Sequence, residues 1–288
     1  MNWHKFSPAL LTLLVFLLAQ GLGSLLLIVI GMLFSPDFKA AVQAYVSGDA
    51  QGLPMFDQIP VSYLALTLMA VNIIAVLACH FFFHNIRFVT KRDISSIKWR
   101  TGMLGITGGV LGAMSMSVLT DNVDLPDMMK QMSLAMSHNI WGLLALAIIG
   151  PITEELIFRE AIEGEMLRRG ATPWMAIIVS ALAFSAVHLN LAQGLYALPL
   201  GILFGIIYYK TGNIILTALL HILNNSIAAA QLFSMDESFE DSSYTDWLGN
   251  TTATYAFMAL CGVFCLVLIR LFWYRYSPRE ETKKHGLA

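Results

Sequence analysis

Apolar positions gather into eight runs separated by short polar segments, roughly 8–34, 61–83, 102–119, 139–158, 173–191, 195–209, 214–233 and 252–274. A helix rises 1.5 Å per residue, so about 20 apolar residues cross a hydrocarbon core of ~30 Å. Most of the runs reach that length. The pattern predicts an all-α fold, a polytopic membrane bundle of about eight transmembrane helices. The first run is too long for the apolar region of a signal peptide, and no small-residue cleavage site follows it cleanly. In the third run Gly108, Gly109, Gly112 and Ala113 are expected to let helices approach closely. There is no internal repeat, low-complexity stretch or long linker, so residues 1–288 read as a single integral membrane domain.

The sixth run breaks the pattern. It holds only 15 residues, about 22 Å of helix, which falls short of the core. A turn at 190–194 is therefore expected within the bilayer, with the fifth helix protruding from one side. Non-helical backbone at that depth is tolerated only where protein or a wet cavity satisfies it. A polar intramembrane cavity follows as an expectation.

Charge gives the bundle an orientation. One set of connecting segments carries Lys5, then Arg87, Lys91, Arg92, Lys98 and Arg100, then Arg159, Arg168 and Arg169, then Lys210, and finally Arg270, Arg275, Arg279, Lys283 and Lys284. The other set holds Lys39, Lys130 and the acidic segment 236–246, so all but two of the 17 Lys and Arg residues fall on one side. The positive-inside rule makes that side cytoplasmic, with both termini there and the chain multi-pass in the cell membrane. Trp141, Trp174, Trp247 and Trp273 lie near run ends, as an aromatic belt would place them.

Composition agrees. AVILMFWYC make up 57% of the chain and DEKR 12%, about half the charged share of soluble domains. Such a chain cannot supply a charged shell, and its surroundings are membrane lipids. A net charge of −2 with no basic stripe argues against a nucleic-acid partner. Cys79, Cys261 and Cys265 sit in apolar runs with no CxxC spacing and read as buried hydrophobes.

Ionisable residues inside apolar runs are the informative ones, because each costs about 2.5–3.5 kcal/mol at a helix centre on insertion scales. They are Glu154 and Glu155 in the fourth run, His188 in the fifth and His221 in the seventh. Glu155 and Arg159 are four apart and can pair on one helix face, whereas Glu154 is rotated about 100° away. Phe184 shares a face with His188, and Asn225 with His221. With Arg159 taken as the membrane boundary, Glu154 lies roughly 7 Å inside it, His221 about 12 Å and His188 about 15 Å. His80 and His84 also share a face, at the end of the second run beside Phe81–Phe83, where interface packing accounts for them.

A carboxylate, two imidazoles and an amide suffice to hydrolyse a peptide bond: the carboxylate takes a proton from water, one imidazole orients that water, and the other imidazole and the amide stabilise the oxyanion. Covalent catalysis is poorly supported without a GxSxG elbow or a cysteine near a polar partner. HExxH is absent too. No cofactor is expected, although Glu154, His188 and His221 would make a chemically reasonable zinc set. A transporter or a non-catalytic scaffold is the competing class, but a transporter would show paired broken helices in both halves.

Glu154-Glu155-x-x-x-Arg159, Phe184-x-x-x-His188 and His221-x-x-x-Asn225, in that order on separate apolar runs, resemble the three motifs of the CAAX-protease and bacteriocin-processing (CPBP, or Abi) family. Those proteins are similar to the Ras-converting CAAX endopeptidases. The resemblance covers roughly Trp141 to Ala230, within the motif-bearing helices of about 139–233. It implies an intramembrane glutamic endopeptidase acting on peptides or lipidated peptides, with Glu154 as base, His188 beside the water, and His221 and Asn225 at the oxyanion. Glu155, Arg159 and Phe184 would support them. Asn224 competes with Asn225 for the amide role.

Overall fold

The computed structural model describes residues 3–48, 60–121, 123, 130–234 and 244–276. Every regular element among the described residues is helical. In chain order they are α1 (Trp3–Phe34), α2 (Pro36–Ser47), α3 (Val61–Phe83), α4 (Lys91–Ser96), α5 (Trp99–Asp121), α6 (Lys130–Ser137), α7 (Ile140–Arg168), α8 (Pro173–Ala186), α9 (Leu191–Thr211), α10 (Ile215–Ser234), α11 (Tyr244–Leu248) and α12 (Thr251–Arg275). Seven of these, α1, α3, α5, α7, α9, α10 and α12, are long and apolar enough to cross a membrane. The protein is a multi-pass membrane bundle.

The short helix is not the one the pattern pointed to. The sixth run forms α9, 21 residues and about 31 Å, while the fifth forms α8, 14 residues and about 21 Å. The reason is a cap. Asn190 accepts from the Ala192 amide and starts α9 at Leu191, so the residues expected to form a turn are helical. The break lies earlier, at Val187–Leu189, where Leu189 has a φ of 50°. α8 and α9 then run back against one another, with Gly205 on Ile177, Gly201 on Ala181, and Ser185 donating to the Gly194 carbonyl.

α7 also departs from expectation. It does not end near Arg159 but continues to Arg168, and Arg159 is fully buried. Glu154 therefore lies roughly 20 Å from the end of its helix rather than 7 Å, similar to His188 counted from Pro173. Two stretches of α7 are wound as π-helix, Ala145–Ile149 and Glu155–Gly164. Such windings frequently mark functional sites, because they shift the carbonyl ladder and re-aim side chains.

The glycines of α5 do what their spacing implies. A Cβ on Gly109 would strike Leu220 of α10, one on Gly112 would sit 2.7 Å from Leu203 of α9, and one on Gly108 would crowd Leu268 and Ile269 of α12. Close approach there is available only to glycine. Cys79, Cys261 and Cys265 are buried and free. His80 packs on Phe81 and Phe88 and its Nδ1 faces the Ile86 carbonyl at 3.0 Å.

Basic connections meet at one end. Arg169 donates to the His4 carbonyl and to Ser7, Arg168 donates to the Asn85 carbonyl, and Lys210 lies over the Trp273 ring. The opposite end holds the contact of Tyr244 with Asp121 and of His138 with Phe233. Most of the acidic segment 236–246, together with Arg279, Lys283 and Lys284, lies outside the described residues.

Candidate active site

Three helices bring the polar motif residues together. Where α7 turns from α-helix into the π-wound stretch, it presents Glu154 and Glu155 in succession. The two carboxylates have different surroundings. Glu155 is fully buried; its Oε2 accepts from Arg159 Nε at 3.3 Å and its Oε1 faces His221 Nδ1 at 3.0 Å. Glu154 keeps a quarter of its side chain exposed (25%), and its Oε2 lies 3.6 Å from His221 Nε2. One imidazole thus stands between two adjacent carboxylates. This revises the geometry expected of His221, which is beside the candidate base as well as one turn from Asn225.

Arg159 is the anchor. Its Nη1 donates to Ser180 Oγ at 2.7 Å, and Ser180 in turn donates to the Phe158 carbonyl. Its guanidinium carbon lies 5.3 Å from the Phe184 ring centre and 5.7 Å from that of Phe204. The same two rings wall His221, at 5.7 and 5.0 Å between centroids. Phe184 also carries His188, 5.0 Å away and perpendicular. The Nδ1 of His188 faces the Phe184 carbonyl at 2.7 Å. A carbonyl can only accept, so Nδ1 holds the hydrogen and the Nε2 lone pair is left to accept.

On α10 the amides form a line. Tyr196 of α9 donates to Asn224 Oδ1 at 2.8 Å, Asn224 Nδ2 donates to Asn225 Oδ1 at 3.1 Å, and Asn225 Nδ2 donates to the Leu146 carbonyl at 3.0 Å. Leu146 belongs to the first π-wound stretch of α7.

Glu154, Glu155, Arg159, His221 and Phe184 are thus joined by direct contact, His188 packs on the same Phe184 ring, and Asn225 meets α7 through the Leu146 carbonyl. Among the described residues no group of three His, Cys, Asp or Glu side chains is arranged to hold a metal ion. Ser180, Phe204, Tyr196 and Glu163 were not singled out by the sequence. Glu163, fully buried and 4.0 Å from Arg159 Nη1, is legible as the i+4 neighbour of Arg159 once α7 is allowed to continue. Ser180 lies on another helix, and no spacing announces it.

Residues 136–227 match the family model described as type II CAAX prenyl endopeptidase Rce1-like. That segment, about a third of the chain, is similar to the CAAX endopeptidases. The matched segment contains all three polar motifs, with α7, α8, α9 and most of α10. The UPF0177 protein YxdF of Lactococcus lactis subsp. lactis (strain IL1403) is 28% identical over 159 residues, 51% of this chain and 84% of its own length. No solved structure matches. The match supports a membrane protease role, with peptides as the substrates it implies.

Proposed function

We propose that Glu154 is the general base of an intramembrane glutamic endopeptidase that cleaves membrane-associated or membrane-proximal peptides, lipidated ones among them. The observation that carries this reading is the contrast between the two glutamates. Glu155 is enclosed by Arg159 and His221, whereas Glu154 is partly exposed and, among the described residues, faces His221 at 3.6 Å.

The chemistry then runs in two steps. Glu154 removes one proton of a water whose oxygen attacks the scissile carbonyl carbon. The Nε2 of His188 accepts a hydrogen bond from the same water and orients it. The oxyanion takes hydrogen bonds from the Asn225 amide and from His221 Nε2, which donates when the ring carries both protons and Nδ1 is held by Glu155. As the C–N bond breaks, Glu154 returns its proton to the leaving nitrogen. Every atom is accounted for without a cofactor.

Turnover of a fluorogenic peptide, normalised to folded enzyme, tests this. Glu154→Gln keeps the shape and removes the basic oxygen, so almost no activity should remain. Asn225→Ala removes one oxyanion donor, worth roughly 10²–10³ in rate, so a measurable rate should survive. A strong chelator should leave the wild type unchanged. Higher activity in Glu154→Gln than in Asn225→Ala would overturn the role of Glu154, and loss with chelator that zinc restores would overturn the metal-free mechanism.

The gathering of basic connections at one end supports a cytoplasmic location for that end and for both termini. A cysteine placed at exposed Arg92 of α4 should be labelled by an impermeant reagent only after the cells are opened. Labelling of intact cells would reverse the orientation.

A further inference from the structure

We infer that Tyr196 is a positioning residue that holds, through Asn224, the direction in which Asn225 presents its amide to the oxyanion. The inference rests on the oxyanion role given to Asn225 above and extends it to a residue in none of the three motifs.

A carboxamide is nearly symmetric in shape but opposite in character at its two ends. Turned one way, Asn225 offers N–H to an oxyanion; turned the other way, it offers an oxygen and repels it. Something must choose, and the hydrogen bonds do so at both ends. The Nδ2 of Asn225 gives one hydrogen to the Leu146 carbonyl at 3.0 Å, and the second hydrogen on that nitrogen remains for the oxyanion. Its Oδ1 accepts from Asn224 Nδ2 at 3.1 Å.

Asn224 is itself reversible, and a reversed Asn224 would set oxygen against oxygen. The polarity starts at the Leu146 carbonyl of α7, which can only accept, and passes through Asn225 and Asn224 of α10 to Tyr196 of α9. The Tyr196 hydroxyl, able to donate or accept, here donates to Asn224 Oδ1 at 2.8 Å and so holds Asn224 with its NH2 end towards Asn225. Asn224 positions and Asn225 donates.

The test measures kcat and KM per folded molecule for Tyr196→Phe, Asn224→Ala, Asn225→Ala and the pair Tyr196→Phe with Asn225→Ala. Phenylalanine keeps the ring, which packs against a buried cluster containing Leu200, Phe204 and Leu220, and removes only the hydroxyl. Tyr196→Phe should lower kcat about three- to tenfold, the range that one neutral hydrogen bond controls, with KM unchanged. Asn224→Ala should show the same split. In the Asn225→Ala background Tyr196→Phe should have no further effect, since no amide is left to orient.

An equal loss in both backgrounds, or no loss in the wild type, overturns the inference while leaving the function proposed above in place. Full turnover in Asn225→Ala would instead overturn both. A residue that only held α9 against α10 would lower the amount of folded protein and leave kcat per folded molecule alone.

Discussion

Glu163 is fully buried, yet neither of its oxygens has a hydrogen-bond partner, and Arg159 Nη1 stands 4.0 Å away. An unsatisfied buried polar group costs about 1–3 kcal/mol, and an apolar residue of similar volume often replaces it at no loss. Glu155 is the opposite case, because removing it strands Arg159 and His221, a loss of about 3–5 kcal/mol for a broken buried pair. Glu163→Met should therefore raise the thermal midpoint of the purified protein in detergent, and Glu155→Met should lower it. A drop with Glu163→Met would mean that Arg159 depends on that carboxylate. The division between Glu154 and Glu155 was legible in the sequence, because the spacing to Arg159 pairs one and leaves the other. Glu163 was obscured by taking a charged residue, Arg159, for the end of a helix it in fact anchors.

Helices were legible where apolar runs are bounded by polar residues, as in α3, α10 and α12. The break between α8 and α9 was not, because Val187 and Leu189 are as apolar as the helices they separate and the deciding signal is one asparagine side chain. Nor does any apolar count reveal the π-winding of α7, which changes hydrogen-bond register without changing composition. The small residues of α5 were read correctly because close packing needs little beyond the absence of side chains. Gly109 faces Leu220, the neighbour of His221, so Gly109→Val should overpack the junction of α5 and α10 at about 1–3 kcal/mol. A fall in thermal midpoint, with turnover lowered beyond the loss of folded protein, is the expected result; an unchanged midpoint would show that the two helices can separate freely.

The one-ended clustering of basic residues was visible in the sequence and recurs in the fold as direct contacts between distant segments, from Lys5 beside Gly170 to Lys210 on Trp273. Depth was harder, because a linear chain marks boundaries by charge and α7 carries its charges inward. The short α8 has a consequence for the lipid around it. A helix of about 21 Å beside neighbours of about 31 Å is mismatched to a hydrocarbon layer of ~30 Å, and the layer answers by thinning locally. Acyl chains would dip towards the turn that carries His188, drawing headgroups and water nearer to it. Bilayer thickness would thereby govern the rate of turnover. Reconstituted into vesicles of increasing acyl-chain length, the enzyme should slow progressively at constant folded content, because thicker lipid resists the dimple; a rate indifferent to thickness would show that the protein, not the lipid, supplies the water.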